Sequence, residues 1–147
     1  MTVSTYPISA DTARHIERPV FGHVIDGEVI PSLDGETMPV IDPATGDEVA
    51  VAAVGSAADV ERAVRSARAA FDDGRWRYLA PLEKERRLRR MSALLEERAT
   101  LFAESDTIDS GLLRWYTDAM VDFARNSIDY FSGWPSKIGR ASCRERV

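Results

Sequence analysis

The chain has 147 residues, 44% of them hydrophobic and 29% charged, and carries a formal charge of -5 at pH 7. That composition fits one folded domain with its own core and excludes a disordered chain, and the acidic balance argues against a general nucleic-acid binder. No run approaches the ~20 apolar residues of a membrane span, the N-terminus lacks the basic-then-apolar layout of a secretion signal, and the lone Cys143 has no partner for an intramolecular disulfide; a cytoplasmic address and no membrane partner are the expectation.

Residues 1–19 show no sustained periodicity and are expected to form a mobile arm, with His15 solvated. From Val20 the pattern turns to strands. Asp26-Gly27 stands between His23-Val24-Ile25 and Glu28-Val29-Ile30, and an Asp-Gly pair between β-branched runs predicts a tight hairpin because both central positions need positive φ. His23 is read as a strand surface residue. A second turn at Asp34-Gly35 leads to Thr37–Ile41, where Pro39 marks an edge or a strand start because it cannot donate to the ladder. The tight turn Asp42 to Gly46 precedes a strand over Glu48 to Val54, which completes a small antiparallel meander of two to four strands.

Ser56 and Asp59 have the spacing of a capping box and open a helix in which Val60, Val64, Ala67 and Phe71 recur every three or four residues, as a buried stripe would. Arg62, Arg65 and Arg68 fall on another face and are read as solvated. Asp73-Gly74 closes this helix.

A second, long helix is predicted from Pro81 to Gly111, with the stripe Leu88, Met91, Leu95, Ala99 and Phe102 demanding a partner surface. Pro81 suits the first turn, Glu83 and Glu85 face the positive helix end, and Gly111 is a natural stop. The i,i+4 pairs Glu83 to Arg87 and Glu85 to Arg89 add only ~0.2–0.5 kcal/mol each, so the apolar stripe decides the helix. A third helix is predicted from about Thr117 through Met120, Phe123, Ser127 and Tyr130 or Phe131 to Gly133, its aromatic residues taken as core, with Trp134-Pro135 as the stop.

The last ten residues, Ile138 to Val147, read IGRASCRERV. Arg140, Arg144 and Arg146 around Cys143 would lower the thiol pKa, as a nucleophile requires. The decapeptide also matches at every codon the in-frame translation of a common short-read sequencing adapter, ATC GGA AGA GCG TCG TGT AGG GAA AGA GTG, and an AAG codon for Lys137 would supply the adapter's leading AG. The segment is therefore set aside as an adapter-encoded, non-native tail. Without it the chain loses three arginines, one glutamate and its cysteine, becomes more acidic, and is expected to be a truncated gene product whose natural frame continues past Lys137.

No glycine-rich phosphate loop, C-x-x-C or H-E-x-x-H metal spacing, or G-x-S-x-G elbow occurs. From its residues alone the chain is an α+β segment without a self-contained active site.

The succession HVIDGEVI, TMPVIDPATGDEV, SAADVERAVRSARAAFDDGRWR, PLEKERRLRRMSALLEERATLFAESDTIDSG and DFARNSIDYFSGWPSKI resembles, in that order, the N-terminal part of the aldehyde dehydrogenase superfamily over about Val20 to Lys137. The most specific pieces are the turn Asp42 to Gly46 and the helix end Asp109-Ser110-Gly111; Gly133-Trp134 adds weight. The resemblance implies an α/β fold of Rossmann type. Its portion here, residues 20–137, would be the N-terminal part of the dinucleotide-binding domain, an antiparallel β meander followed by three amphipathic helices. It further implies an oxidoreductase that converts a small aldehyde to a carboxylic acid with NAD or NADP through a cysteine thiohemiacetal, and a homo-oligomer for the full-length protein. The family's nucleophile, general base, oxyanion-hole and cofactor-binding motifs lie beyond this chain, and Cys143 does not match the nucleophile motif. The fragment is accordingly expected to be inactive and to bind no cofactor. Some members bind a structural monovalent cation, and the matching positions here are Val40, Ile41 and Asp109, an oxygen-only set that suits a hard cation. Leu112 departs from the family pattern, where many members carry lysine. A free-standing helical protein-interaction module presenting the Leu88 to Phe102 stripe is the alternative; nucleic-acid binding through the arginines is the weakest reading.

Overall fold

The computed structural model describes residues 7–17 and 20–137; the expected adapter-encoded tail, with Cys143, lies outside the described residues. Within the stretch expected to be a mobile arm, Ala10–Ile16 form a helix, α1. Ser9 caps it, its hydroxyl oxygen accepting the Thr12 N–H at 3.3 Å. Seven residues are too few for a helix to hold itself in water, and this one is anchored instead through the buried Thr12 to Glu104, 92 residues away. Hydrophobic periodicity gave no sign of this helix within the expected mobile arm, because a polar, long-range anchor leaves no trace in it. His15, expected to be solvated, is half-buried and meets Phe21 edge-on with ring centroids 5.2 Å apart.

Strands β1 (His23–Ile25) and β2 (Glu28–Ile30) pair antiparallel around Asp26 and Gly27, whose φ angles of 56° and 81° are those the Asp-Gly signal requires. Strands β3 (Thr37–Ile41) and β4 (Glu48–Ala53) form a second antiparallel pair, with a bulge between Val40 and Ile41. Their connection is the expected turn: Asp42 is fully buried, its Oδ1 accepts the Ala44 N–H at 2.8 Å, and its carbonyl accepts the Gly46 N–H at 2.8 Å. The meander is thus two separate two-stranded sheets. Phe21 bridges to the second sheet by donating to the Val51 carbonyl at 2.7 Å and accepting from Ala53 at 2.9 Å. Pro39 stands opposite Val51 on β3, which pairs with β4 alone, the edge position its missing N–H predicts.

Helix α2 (Ala57–Asp72) opens on the predicted capping box: the Ser56 hydroxyl accepts the Asp59 N–H and the Asp59 carboxylate accepts the Ser56 N–H. Asp59 is buried and also accepts from the Ser32 hydroxyl at 3.2 Å and the Leu33 N–H at 3.3 Å, which ties the helix start to the loop after β2. Burial by itself would push this carboxyl up, but the bonds from Ser56, Leu33 and Ser32 outweigh it and hold the pKa below the ordinary value. The stripe expected to be buried is not: Val60, Val64 and Phe71 are 57%, 60% and 57% exposed. The guanidinium groups of Arg68 and Arg77 lie over the Phe71 ring at 5.5 and 5.8 Å. Arg65 and Arg68 pair with Glu61 and Asp72 in solvent, as a solvated face should.

The single long helix predicted over Pro81 to Gly111 is two, α3 (Pro81–Glu97) and α4 (Ala99–Ser110). At Arg98, with φ -118° and ψ 18°, the backbone leaves helical geometry. A continuous helix would carry Phe102 inward on the same stripe as Leu88 and Leu95. The break instead turns Ala103, Glu104 and Ile108 inward and leaves Phe102 half-exposed. Both predicted ion pairs of α3 form, Glu83 with Arg87 at 3.5 Å and Glu85 with Arg89 at 3.0 Å. Gly111 ends α4 as predicted, with φ 70° and its N–H on the Thr107 carbonyl. A Cβ there would also sit 3.0 Å from Pro43 Cγ of the second hairpin turn. Gly111→Ala is therefore expected to cost about 1–2 kcal/mol from the left-handed backbone alone, seen as faster amide exchange over the last turn of α4.

Helix α5 (Arg114–Ser132) starts three residues before the predicted cap, and Thr117 lies inside it, fully buried, with its hydroxyl on the Arg114 carbonyl at 2.9 Å and the Thr107 hydroxyl at 2.8 Å. α5 packs on α3 and α4. Small side chains allow the approach: Ser92 of α3 and Ser132 of α5 are buried, and the Ser92 hydroxyl reaches the Arg125 carbonyl at 3.4 Å. The aromatic residues taken as core lie on the other side, with Phe123 67% exposed and Tyr130 and Phe131 largely exposed. Among the described residues the buried apolar side chains are Ile25, Val49, Ala50, Ala103 and Ile108, and the largest fully buried ones are Thr12, Thr117, Asp42 and Ser132. The interior is small and polar.

Candidate functional site

The second hairpin, α1 and α4 line a solvent-open cavity of about 360 Å³. Val40, Val49 and Ala50 form its hairpin wall, Phe102, Ser105, Asp106, Ile108 and Asp109 its α4 wall, and His15, Ile16 and Phe21 the third side. Two of the three residues matched to the cation positions, Val40 and Asp109, thus border one space. Ile41 is not in its lining and is exposed. The bulge between Val40 and Ile41 interrupts the ladder beside the cavity, and bulges leave an extra residue unpaired. The Ser105 hydroxyl, also in the lining, is buried without a hydrogen-bond partner. Among the described residues no three His, Cys, Asp or Glu side chains gather as a metal site.

A second constellation was not visible in the sequence. Glu104 is 6% exposed, and its Oε2 accepts the Ser9 N–H at 2.9 Å, the Ser9 hydroxyl at 2.8 Å and the Thr12 hydroxyl at 2.5 Å. Its Oε1 accepts from Arg114 at 2.9 Å, and Arg114 donates to Asp118 at 3.0 Å as well. Burial opposes ionisation here, but the Thr12, Ser9 and Arg114 bonds overcome it and push the Glu104 pKa down to about 2. The same carboxylates hold the Arg114 pKa above its ordinary value against desolvation. One carboxylate therefore joins α1, α4 and α5. An isolated glutamate in an amphipathic pattern carries no signal of this, because most of its donors come from Ser9 and Thr12, more than 90 residues away along the chain.

His23 Nε2 lies 4.0 Å from Asp59, too far for a hydrogen bond, and is buried without a partner. The hydroxyls beside the pair, those of Ser32 and Ser56, both donate to the Asp59 carboxylate and neither bonds His23, so the group is not arranged as a catalytic dyad with its nucleophile. Among the described residues no helix is long and apolar enough to cross a membrane.

The profile of the aldehyde dehydrogenase family matches residues 30–145. Aldehyde dehydrogenase family 2 member B4, mitochondrial, of Arabidopsis thaliana is 38% identical over 117 residues, which cover 78% of this chain and 22% of the relative. The fold is similar to that of HpcC from Thermus thermophilus, with a TM-score of 0.78 and 34% identity over 84% of this chain and 24% of that one. Betaine aldehyde dehydrogenase of Staphylococcus aureus, crystallised with NAD+, gives a TM-score of 0.79 and 25% identity over 85% of this chain and 25% of that one. The chain spans about a quarter of the length of the proteins it matches.

Proposed function

Because the chain belongs to the aldehyde dehydrogenase family, we propose that it is the N-terminal portion of a cytoplasmic NAD- or NADP-dependent enzyme that oxidises a small aldehyde to its acid as a homo-oligomer, and that this portion is inactive by itself. The observation that carries the reading is the superposition of 85% of the chain on only 25% of a full-length aldehyde dehydrogenase. The exposed stripes of α2 and α5 support it, since helices of this pattern bury one face in a complete domain. The residues present do not fit a dinucleotide. The sequence has no glycine-rich phosphate loop, and the carboxylates of Asp106 and Asp109 in the described cavity would repel a pyrophosphate. No step through nicotinamide is assigned to this chain.

Calorimetry with NAD and NADP should give no binding heat, and absorbance assays with short aliphatic and aromatic aldehydes no reduced cofactor. Clear dinucleotide affinity or turnover would remove the proposal. The exposed Val60, Val64 and Phe71 favour a second reading, a free-standing interaction module. Resequencing the source DNA across the codons for Lys137 and Ile138 separates the two: a long continuing frame supports the enzyme portion, a native stop soon after Val147 the module.

The family positions Val40, Ile41 and Asp109 are assigned to a monovalent cation, supported by Val40 and Asp109 bordering one cavity. With a further ligand supplied from outside this portion, thallium titration followed by NMR should show weak binding at most, abolished by Asp109→Asn. An unchanged titration in that variant would exclude the assignment.

A further inference from the structure

His23 opens β1 and Asp59 stands in the first turn of α2, and these two elements pack on each other. The imidazole is buried at Nε2, which has no hydrogen-bond partner, while the side chain as a whole keeps 22% of its surface in solvent, so a proton can reach the ring. A buried polar atom left unpaired is rare in a folded protein and calls for a reason. The acidic oxygen beside it is Asp59 Oδ2, 4.0 Å away on a side chain only 3% exposed. We propose that His23 and Asp59 form a proton-operated tie: the neutral imidazole stands off the carboxylate, and the protonated one closes its Nε2–H onto Asp59 and fastens the first hairpin to the start of α2.

Burial alone would raise the Asp59 pKa, but the bonds from Ser56, Leu33 and Ser32 hold it below the ordinary value. The carboxylate is therefore anionic throughout the range, roughly pH 5 to 8, in which histidine changes charge. Its present donors leave room for a stronger one. The Ser32 hydroxyl donates to Oδ2 at 3.2 Å and the Leu33 N–H is shared between both oxygens at 3.3 Å. These are long neutral contacts, whereas a bond between charged groups settles at about 2.7–2.9 Å and is roughly twice as strong. The gap to close is thus about 1 Å, and the hairpin has space to cross it: an open space of about 430 Å³ lies between its tip at Asp26-Gly27 and Ala63, Ala67 and Ala70 of α2.

No second acid competes for the ring. On β2 the residue opposite His23 is Ile30, and before the capping box stands Gly55, where a Cβ would lie 3.6 Å from the imidazole. Asp26, Glu28, Asp34, Glu36, Glu61 and Arg62 on the surrounding segments are all exposed. Among the described residues Asp59 carries the only carboxylate within 4.0 Å of the ring nitrogens. Because the pair exists only with the proton on, its contribution is present at the acid end of the range and is lost as the pH rises through it.

NMR on the full chain reads the proton and the tie separately. Between about pH 8 and pH 5 the His23 ring should gain its second proton, with an Nε2–H that exchanges slowly enough to be observed. Over the same range amide exchange in residues 23–30, corrected for intrinsic rate, should slow by about threefold, the scale of a weak ion pair, and the Leu33 N–H resonance should move with the same midpoint. His23→Gln, which stays polar and has no charge to gain, should show no step. His15→Gln should keep it, which removes the other histidine as its source. A step of equal size in His23→Gln, or its disappearance in His15→Gln, would overturn the tie, as would a His23 ring that gains its proton without any change in hairpin exchange. Hairpin amides that exchange at the free-peptide rate at both ends of the range would do the same.

Discussion

Acidification from above pH 4.5 towards pH 2 is expected to free helix α1 while α3 and α5 stay protected. Glu104 has its pKa pushed down to about 2 from an ordinary 4.5. Because the folded value lies below the unfolded one, the stabilisation is fully present above pH 4.5 and is lost as the pH falls through that window towards the folded value. The difference corresponds to at most about 3 kcal/mol before solvent screening lowers it. Amide exchange in Ala10–Ile16, corrected for intrinsic rate, should therefore speed up by as much as about a hundredfold across the window. The groups that face Glu104 are the Ser9 and Thr12 hydroxyls of the α1 side and the Arg114 guanidinium of α5, itself held by Asp118. Glu104→Gln supplies the control: its α1 should exchange fast already at pH 7 and show no acid step. A step that survives the substitution would place the titrating group elsewhere, with the buried Asp59 at the start of α2 the next to replace.

What could be read in the sequence follows from the range of the interaction responsible. Local chemistry was legible. Asp26-Gly27 gives its hairpin, Ser56 and Asp59 their capping box, Pro39 its edge strand and Gly111 its left-handed stop. Each of these is decided within about four residues. Helix phase was legible only until a competing surface intervened. The stripe from Leu88 to Phe102 is continuous in the sequence, yet Arg98 breaks it, because α4 buries Glu104 and Ile108 rather than Phe102. α1 was invisible, since what holds it is a buried carboxylate 92 residues along the chain from Thr12. Of the cation positions, the resemblance brought together Val40 and Asp109, which share a cavity, but not Ile41.

Heating the chain is expected to give a broad transition with early binding of a hydrophobic dye, not a sharp cooperative melt. Cooperativity comes from a shared apolar core. Here the buried apolar side chains among the described residues are three aliphatic ones, Ile25, Val49 and Ile108, and two alanines, while Val60, Val64, Phe71, Phe123, Tyr130 and Phe131 stand in solvent. Exposed apolar area on that scale favours association over a unique monomer. The decisive comparison is polar substitution on the exposed stripes. If Val64 and Phe123 are solvated, Val64→Ser and Phe123→Ser should raise solubility and change amide protection in α2 and α5 by no more than about twofold, as surface substitutions within about 0.5 kcal/mol do. If the stripes are covered by a second copy or by collapse onto one another, the same changes should remove the ~1.5–3 kcal/mol that burying a large apolar side chain provides. They would then abolish protection in those helices. The first outcome fits a portion of a larger enzyme whose covering surface lies elsewhere; the second, with a sharp melt, fits a self-sufficient helical module.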